Sequence, residues 1–411
     1  MKIHNTLTKR LESFKPIDDK SVTIYVCGIT PYDTTHLGHA STYIFFDALI
    51  RYLKFKGYTV IYTQNVTDIN DRDKDILQKA KEQKIPWSKL AEFWTKKFLN
   101  DMHSLNWTPP DNFLKASEQI PAMITLIQKL LKNNLSYQVK GSIYLDISKV
   151  KNYGKLSKFS NPKMLKVAEE FEEDLKNPDK KNPLDITLWR ATEKNQPSHI
   201  PSFDSPFGKG RPGWHIECSA MSISSLGEQI DPFDELRVNG ERSRTIDIHG
   251  GGADLIFPHH EAEIAQSEGA TGKIPFAKFW IHTQPVFYRG QKMSKSKGNL
   301  VMVSDLLKKY SPNAIRWLLL SNHFRKKWEY KEEDLIKAQK NIDAIEKVLA
   351  LQGVPREPIA TGYKDQFIKI MDENVNTPKA LKFLLKLAKE NSKKDLLKLM
   401  SVLGFDTKKL I

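Results

Sequence analysis

Along the chain, an apolar run from Val22 to Val26 breaks at Cys27-Gly28 into a polar stretch reaching His39. A helix-like pattern follows over Ala40–Gly57. A second apolar, β-branched run, Thr59 to Gln64, ends at the polar residues Asn65 to Asp71. Strand, turn, helix and then a strand with a polar C-terminal end predict the first half of a nucleotide-binding α/β domain. Ligands of open parallel sheets sit at that edge. Helical patterning then runs from Asp73 to Leu105. Trp87, Phe93, Trp94, Phe98 and Met102 share one face of it and read as core.

Residues 111–190 read as an insertion between two halves of a sheet. It holds a helix over Ile124–Leu135, a strand over Ser142–Ile147, a charged helix over Lys163–Lys176 and a loop to Pro183. The chain then returns to a loop-then-helix pattern around Pro206–Cys218. At Ile246–Pro258 a strand, three glycines and a proline open a helix that begins His259-His260-Glu261-Ala262-Glu263. Beyond Ser304 the pattern is helical: Pro312–Leu320, Glu332–Ala350 and Tyr363–Met400.

Composition narrows the class. Hydrophobic residues make up 40% and charged residues 27%, the balance of a soluble globular protein. No run of about 18 apolar residues predicts a membrane span, and Met1-Lys2-Ile3-His4 begins no secretory signal. Two cysteines argue against a disulfide framework and fit a reducing compartment, so a cytoplasmic location is expected. A net charge of +15 points to anionic partners such as nucleic acid, although solvated lysines on every face explain it equally well.

The candidate chemistry starts at the first turn. A strand entering a helix N-terminus is a place for phosphate, because the first-turn amides are unpaired and the helix dipole favours negative charge. His36-Leu37-Gly38-His39 adds two imidazoles around a glycine that lets the backbone come close to a ligand. Alone, that pattern is common by chance. A second element stands far downstream: Lys292-Met293-Ser294-Lys295-Ser296, two lysines in a short polar loop suited to a polyphosphate. By itself it would be a solvated turn.

Together and in this order, the two motifs resemble the signature of class I aminoacyl-tRNA synthetases. The chain is similar in particular to cysteinyl-tRNA synthetases and to the related cysteine ligases of mycothiol biosynthesis. The similarity runs from Asn5-Thr6-Leu7-Thr8 to Asn376-Thr377-Pro378-Lys379-Ala380-Leu381, and takes in Tyr153–Ser157 and Asp185–Arg190. It implies an α/β fold. A Rossmann-type parallel-sheet catalytic domain would span 1–304, with a connective insertion at about 111–190. A helical bundle would follow over 305–411, without a separate anticodon-binding domain.

The chemistry implied is activation of L-cysteine by ATP to an adenylate, then acyl transfer. His36 and His39 would meet the phosphates, with Gly38 giving backbone access. Lys292 and Lys295 would stabilise the α-phosphate and the departing pyrophosphate. Gly250, Gly251 and Gly252 would pass under the adenosine, and Mg²⁺ travels with ATP. Cys27 and Cys218 each stand beside such a loop, and a free cysteine is most often a small buried hydrophobe. His259 and Glu263, four residues apart, share one helix face. Two thiolates, an imidazole and a carboxylate suit zinc. Spacing does not show that these four meet; the resemblance implies that they do, around one Zn²⁺ per chain. A zinc that accepts the substrate thiolate would separate cysteine from serine better than apolar contacts can. The resemblance also makes Trp214 a lid over cysteine and Thr30, Thr67 and Asp254 polar substrate contacts. A core tryptophan and a cap at Asp254 are the plainer alternatives.

The favoured acyl acceptor is tRNA(Cys), with the lysine-rich helices near Lys382–Lys398 as candidate RNA contacts, on a protein expected to be a monomer. The alternative is an amino-sugar, glucosaminyl-inositol, as in the mycothiol enzymes, which also stop at the bundle. A catalytically silent RNA-binding paralogue is disfavoured, because both motif lysines and all four metal ligands are present. Two departures from the family pattern stand out: Asn70 replaces a common Asp, and Glu228–Ser243 reads as an extra charged surface loop.

Overall fold

The computed structural model describes residues 1–33, 35–72, 76–226, 245–293, 298–350 and 361–407. The expected surface loop at Glu228–Ser243 lies outside them, as does Lys295.

The N-terminal half contains β1 (Lys2–Asn5), β2 (Arg10–Ser13), β3 (Ser21–Ile29), α1 (Leu37–Phe55), β4 (Thr59–Val66), α2 (Ile76–Gln83), α3 (Trp87–Ser104) and β5 (Asn112–Lys115). The middle contains α4 (Ile120–Lys132), β6 (Ser136–Val139), β7 (Ser142–Leu145), α5 (Asn161–Glu170), β8 (Ile186–Ala191), β9 (Gly210–Pro212) and α6 (Trp214–Leu226). The chain continues through β10 (Ile246–Gly252), α7 (His259–Thr271), β11 (Ala277–Thr283), β12 (Val286–Tyr288), β13 (Gln291–Lys292), α8 (Val303–Leu306) and α9 (Pro312–Leu320). It closes with β14 (Trp328–Glu329), α10 (Glu332–Ala350), α11 (Thr361–Asp372), α12 (Thr377–Lys389) and α13 (Lys393–Val402).

The core is a five-stranded parallel sheet in the order β11-β10-β3-β4-β5. Strand order reverses between β3 and β10, which is where ligands bind in such sheets. The expected insertion over 111–190 differs from the strand pairing at both ends. Asn112–Lys115 is the edge strand of the core sheet, and Gly210–Pro212 pairs with β8 in a separate antiparallel sheet, β6-β7-β8-β9. Short strands of three or four residues carry too little alternation to betray their partners.

Helix breaks also fall where periodicity hides them. The single stretch expected over 73–105 is two helices, because Lys84 turns left-handed (φ 55°) and Pro86 has no N–H to give. The helix expected over 163–176 stops at Glu170, before Glu172 at φ 56°. The stretch 363–400 is three helices, parted at Asn374-Val375 and at Asn391, all left-handed. Phe93, read as core, is 60% exposed and packs edge-on against Trp94, whereas Phe98 and Met102 are buried. No helix of the described residues is long and apolar enough to cross a membrane.

Helix α1 is buried along most of its length, and it joins the sheet to the C-terminal helices in one apolar core. Phe45 stacks on Phe324 at 4.2 Å. Within this core Asp47 is fully buried. It accepts from the Arg316 guanidinium, from Arg51 Nε at 3.0 Å and from the Thr108 amide at 2.9 Å. Arg316, also buried, donates to Leu403 O and Leu105 O. Burial alone would raise the Asp47 carboxyl; Arg316 and Arg51 outweigh it and hold the group below the usual carboxylate range. Its stabilising contribution is therefore present above about pH 4 and is lost as pH falls through the lowered value. Arg316→Met, which strands a buried carboxylate, should cost about 3–5 kcal/mol in urea unfolding at pH 7. The gap to the wild type should narrow below pH 4.

Candidate active site

Strand β3 delivers Cys27 to the C-terminal edge of the sheet and then parts from β4. Its register with β4 shifts between Val26 and Ile29. Gly28 makes that parting tight: its amide donates to Asn65 Oδ1 at 2.8 Å, and a Cβ there would come 1.5 Å from Asn65 O. Helix α1 starts at Leu37 because His36 caps it, with Nδ1 accepting from the Gly38 amide at 3.0 Å. The His36 ring stacks on His39 at 3.8 Å. Two imidazoles therefore sit over a helix N-terminus, a combination suited to phosphate.

A cavity of about 630 Å³ opens at this edge. Its walls include Thr30, His36, Gly38, His39, Thr67, Trp214, Gly252, Asp254 and Lys292, with Cys27, Cys218 and His259 at the metal-type cluster. The expected glycine triplet divides. Gly252 lines the cavity, while Gly250 packs where a Cβ would meet the Phe46 ring at 2.1 Å. A Cβ on Gly251 would lie 3.0 Å from Leu255 and 3.2 Å from the His260 ring. Lys292 Nζ donates to Asp254 Oδ2 at 2.8 Å, so these two residues, read separately from the sequence, face each other here. Thr67 Oγ1 accepts from Asn65 Nδ2 at 3.2 Å.

Cys27, Cys218, His259 and Glu263 come together with donor atoms all within 4.8 Å of one another, every one buried. His259 Nε2 lies 3.3 Å and Cys27 Sγ 3.5 Å from Glu263 Oε1. A second quartet shares Cys27 and Glu263 and adds His249 and His260. His249 Nε2 is 3.3 Å from Glu263 Oε2, and His260 Nε2 is 3.3 Å from Cys27 Sγ. Neither histidine was singled out in the sequence. His249 directly precedes the glycine triplet and His260 adjoins His259, so each stood in a quoted motif without a role. Behind them, His260 Nδ1 meets His282 Nε2 at 2.7 Å, and His282 Nδ1 meets Thr6 Oγ1 at 2.8 Å.

Burial governs the protonation of this cluster. It pushes the Cys27 thiol up, reinforced by Cys218 and Glu263, and pushes the Glu263 carboxyl up. It drives His259 and His260 well down and His249 to about 3. As they stand, burial biases Cys27, Glu263, His249, His259 and His260 toward their neutral forms. A divalent cation would reverse that balance, since thiolate and carboxylate are its ligands. The donor set therefore fits a borderline-soft metal ion.

A model of the class I (C) tRNA synthetase catalytic domain matches residues 13–340. The chain belongs to the class I tRNA synthetase family. Its relatives include a cysteine–tRNA ligase of Dehalococcoides mccartyi, 43% identical over 396 residues, covering 95% of this chain and 80% of the relative. The cysteine–tRNA ligase of Thermodesulfovibrio yellowstonii is 42% identical over 409 residues, covering 95% and 78%. Among solved structures, a Mycobacterium tuberculosis methionyl-tRNA synthetase with methionyl-adenylate has a TM-score of 0.61 at 15% identity, covering 93% of this chain and 89% of that one. The likeness to this solved structure concerns the fold alone.

The Gly28 contact gives this synthetase chain a direct test. Gly28→Ala forces a methyl into the Asn65 carbonyl, and neither strand can yield without moving Cys27. Thermal or urea unfolding should register a loss of about 3 kcal/mol.

Proposed function

We propose that this chain is a cysteine–tRNA ligase: it activates L-cysteine with ATP and transfers the cysteinyl group to tRNA(Cys). One observation carries the reading. A buried cluster of two cysteines, a histidine and a glutamate presents Cys27, Cys218 and His259 to a cavity that is also lined by His36, His39 and Lys292. The names of the relatives favour tRNA over glucosaminyl-inositol as acceptor. The reading accounts for the free, buried cysteines, and it fits a cytoplasmic enzyme.

Cys27, Cys218, His259 and Glu263 would hold one Zn²⁺. Three of these four line the cavity, whereas His249 and His260 do not, which favours the first quartet as the one open to substrate. When bound, zinc supplies a ligand position that takes a thiolate and discriminates against a hydroxyl. The remaining work falls to the chain's own residues. Thr30, Thr67 and Asp254 would orient the amino acid, so that its carboxylate faces the α-phosphate of ATP. The carboxylate oxygen bonds to that phosphorus as the bond to pyrophosphate breaks. His36 and His39, with the first-turn amides of α1, would neutralise the phosphate charge, and Gly252 would underlie the adenosine. Lys292 must exchange Asp254 for phosphate. An exposed ion pair of this kind is worth about 0–1 kcal/mol, so the exchange costs little. Lys295 would complete the clamp. We read residues 1–304 as the catalytic unit and the helices after it as a bundle. Lys382, Lys386, Lys389 and Lys398, all exposed, would offer charge to RNA.

Labelled cysteine, ATP and purified protein should give acid-precipitable product with tRNA(Cys) and none with glucosaminyl-inositol. Product on the amino-sugar alone would overturn the choice of acceptor. The metal reading has a separate check. Elemental analysis of the wild type should find about one zinc per chain, and Cys218→Ala or His259→Ala should weaken zinc retention about 10- to 100-fold against a chelator. Full retention in both variants would remove those residues from the site.

A further inference from the structure

Arg72 has no part in the chemistry above, yet it lines the same cavity in the turn after β4. Its guanidinium carbon lies 3.9 Å from the centroid of the Trp214 ring, and its Nη2 donates to Glu173 Oε1 at 2.8 Å. We propose that Arg72 is a positioning residue for the amino-acid pocket: with Glu173 it clamps the Trp214 ring in the setting that walls the approach to Cys27 and Cys218. The proposal rests on the cysteine-activating reading of the site.

Trp214 is the first residue of α6, and its ring, half-buried, has two side-chain torsions to be fixed by what packs on it, including the His215 ring at 4.8 Å. Its backbone amide is held, donating to Asp71 Oδ1 at 2.9 Å. The ring meets His259 in a stack at 4.4 Å and 24°. That stack alone leaves the ring free to slide. A guanidinium over the ring adds a cation–π attraction, and its plane is set by the bond to Glu173. Glu173 is itself fixed, since the same oxygen lies 3.2 Å from His215 Nε2. Phe171, two residues before it, stacks parallel to the Trp214 ring at 6.3 Å.

The turn carrying Arg72 is anchored from the small antiparallel sheet. Arg190 Nη1 and Arg211 Nη2 both donate to the Asp71 carbonyl, at 3.0 and 3.1 Å. Asn70 Oδ1 accepts from the Arg72 amide at 2.8 Å, so the side chain at this position holds the turn as an Asp would. The setting of Trp214 therefore depends on contact between the core-sheet turn and the segment that follows α5. A lysine could not take over, because it offers a point charge without a plane to stack or a fork to hold Glu173.

The test is cysteine-dependent ATP–pyrophosphate exchange with the full chain, read beside tryptophan emission. Arg72→Ala should raise the KM for cysteine about tenfold while the KM for ATP stays within about twofold. Arg72→Lys should recover only part of that loss. Emission of Arg72→Ala should differ from the wild type, and the difference should vanish on a Trp214→Phe background. A cysteine KM within twofold of wild type, or a parallel rise for ATP, would overturn the clamp. Wild-type protein without cysteine-dependent exchange would instead sink the parent reading. In that case the emission comparison still decides, and identical spectra would reject the clamp.

Discussion

Strand β10 pairs with β3 in parallel, setting Ile248 opposite Ile24 and Gly250 opposite Val26, and everything at the site depends on that register. It joins two segments more than 200 positions apart in sequence, as the Cys27–Glu263 contact records with a separation of 236. A shift of one residue would turn Cys27 and His249 to opposite faces. The same pairing creates the reversal of strand order that opens the cavity. Two glycines of β10 leave room for neighbouring side chains: a Cβ on Gly250 would meet the Phe46 ring of α1, and one on Gly251 would lie 3.2 Å from the His260 ring.

Two buried clusters of titratable groups are handled in opposite ways. Asp47 is matched at once by Arg316 and Arg51, so its charge is balanced within the chain, and the balance locks α1 to the C-terminal helices. Among the described residues, no Lys or Arg pairs with Cys27 or Glu263. Their neighbours are histidines that burial keeps neutral. The first arrangement is complete as a structural tie. The second brings together donors that could hold a cation, which is the chemistry of a binding site rather than of a brace.

The first strand–helix unit and the existence of a helical C-terminal region could be read from residue patterns and are present in the structure, whereas residues 294–297 of the second lysine motif lie outside the described residues. Elements bounded by left-handed residues could not be read in this way. Lys84, Glu172 and Asn391 are polar residues in helix-compatible sequence, and only packing sets their φ. Edge strands such as Asn112–Lys115 were equally opaque, because a four-residue strand is defined by its neighbour. At the site, His249 and His260 were missed for the same reason. His249 has no spacing partner along the chain, and although His260 stands three residues before Glu263, both histidines reach Cys27 only through the tertiary fold.

Local sequence determined the alternation of strand and helix, the helix N-terminus with its two imidazoles, and the shared face of His259 and Glu263, because each depends on contacts within a turn or two. Tertiary structure alone decided that Cys27 meets Cys218, that Lys292 faces Asp254, and that Arg72 lies over Trp214. Those meetings run through the sheet register and through turns from separate segments, and no periodicity in a chain encodes a distance across a sheet.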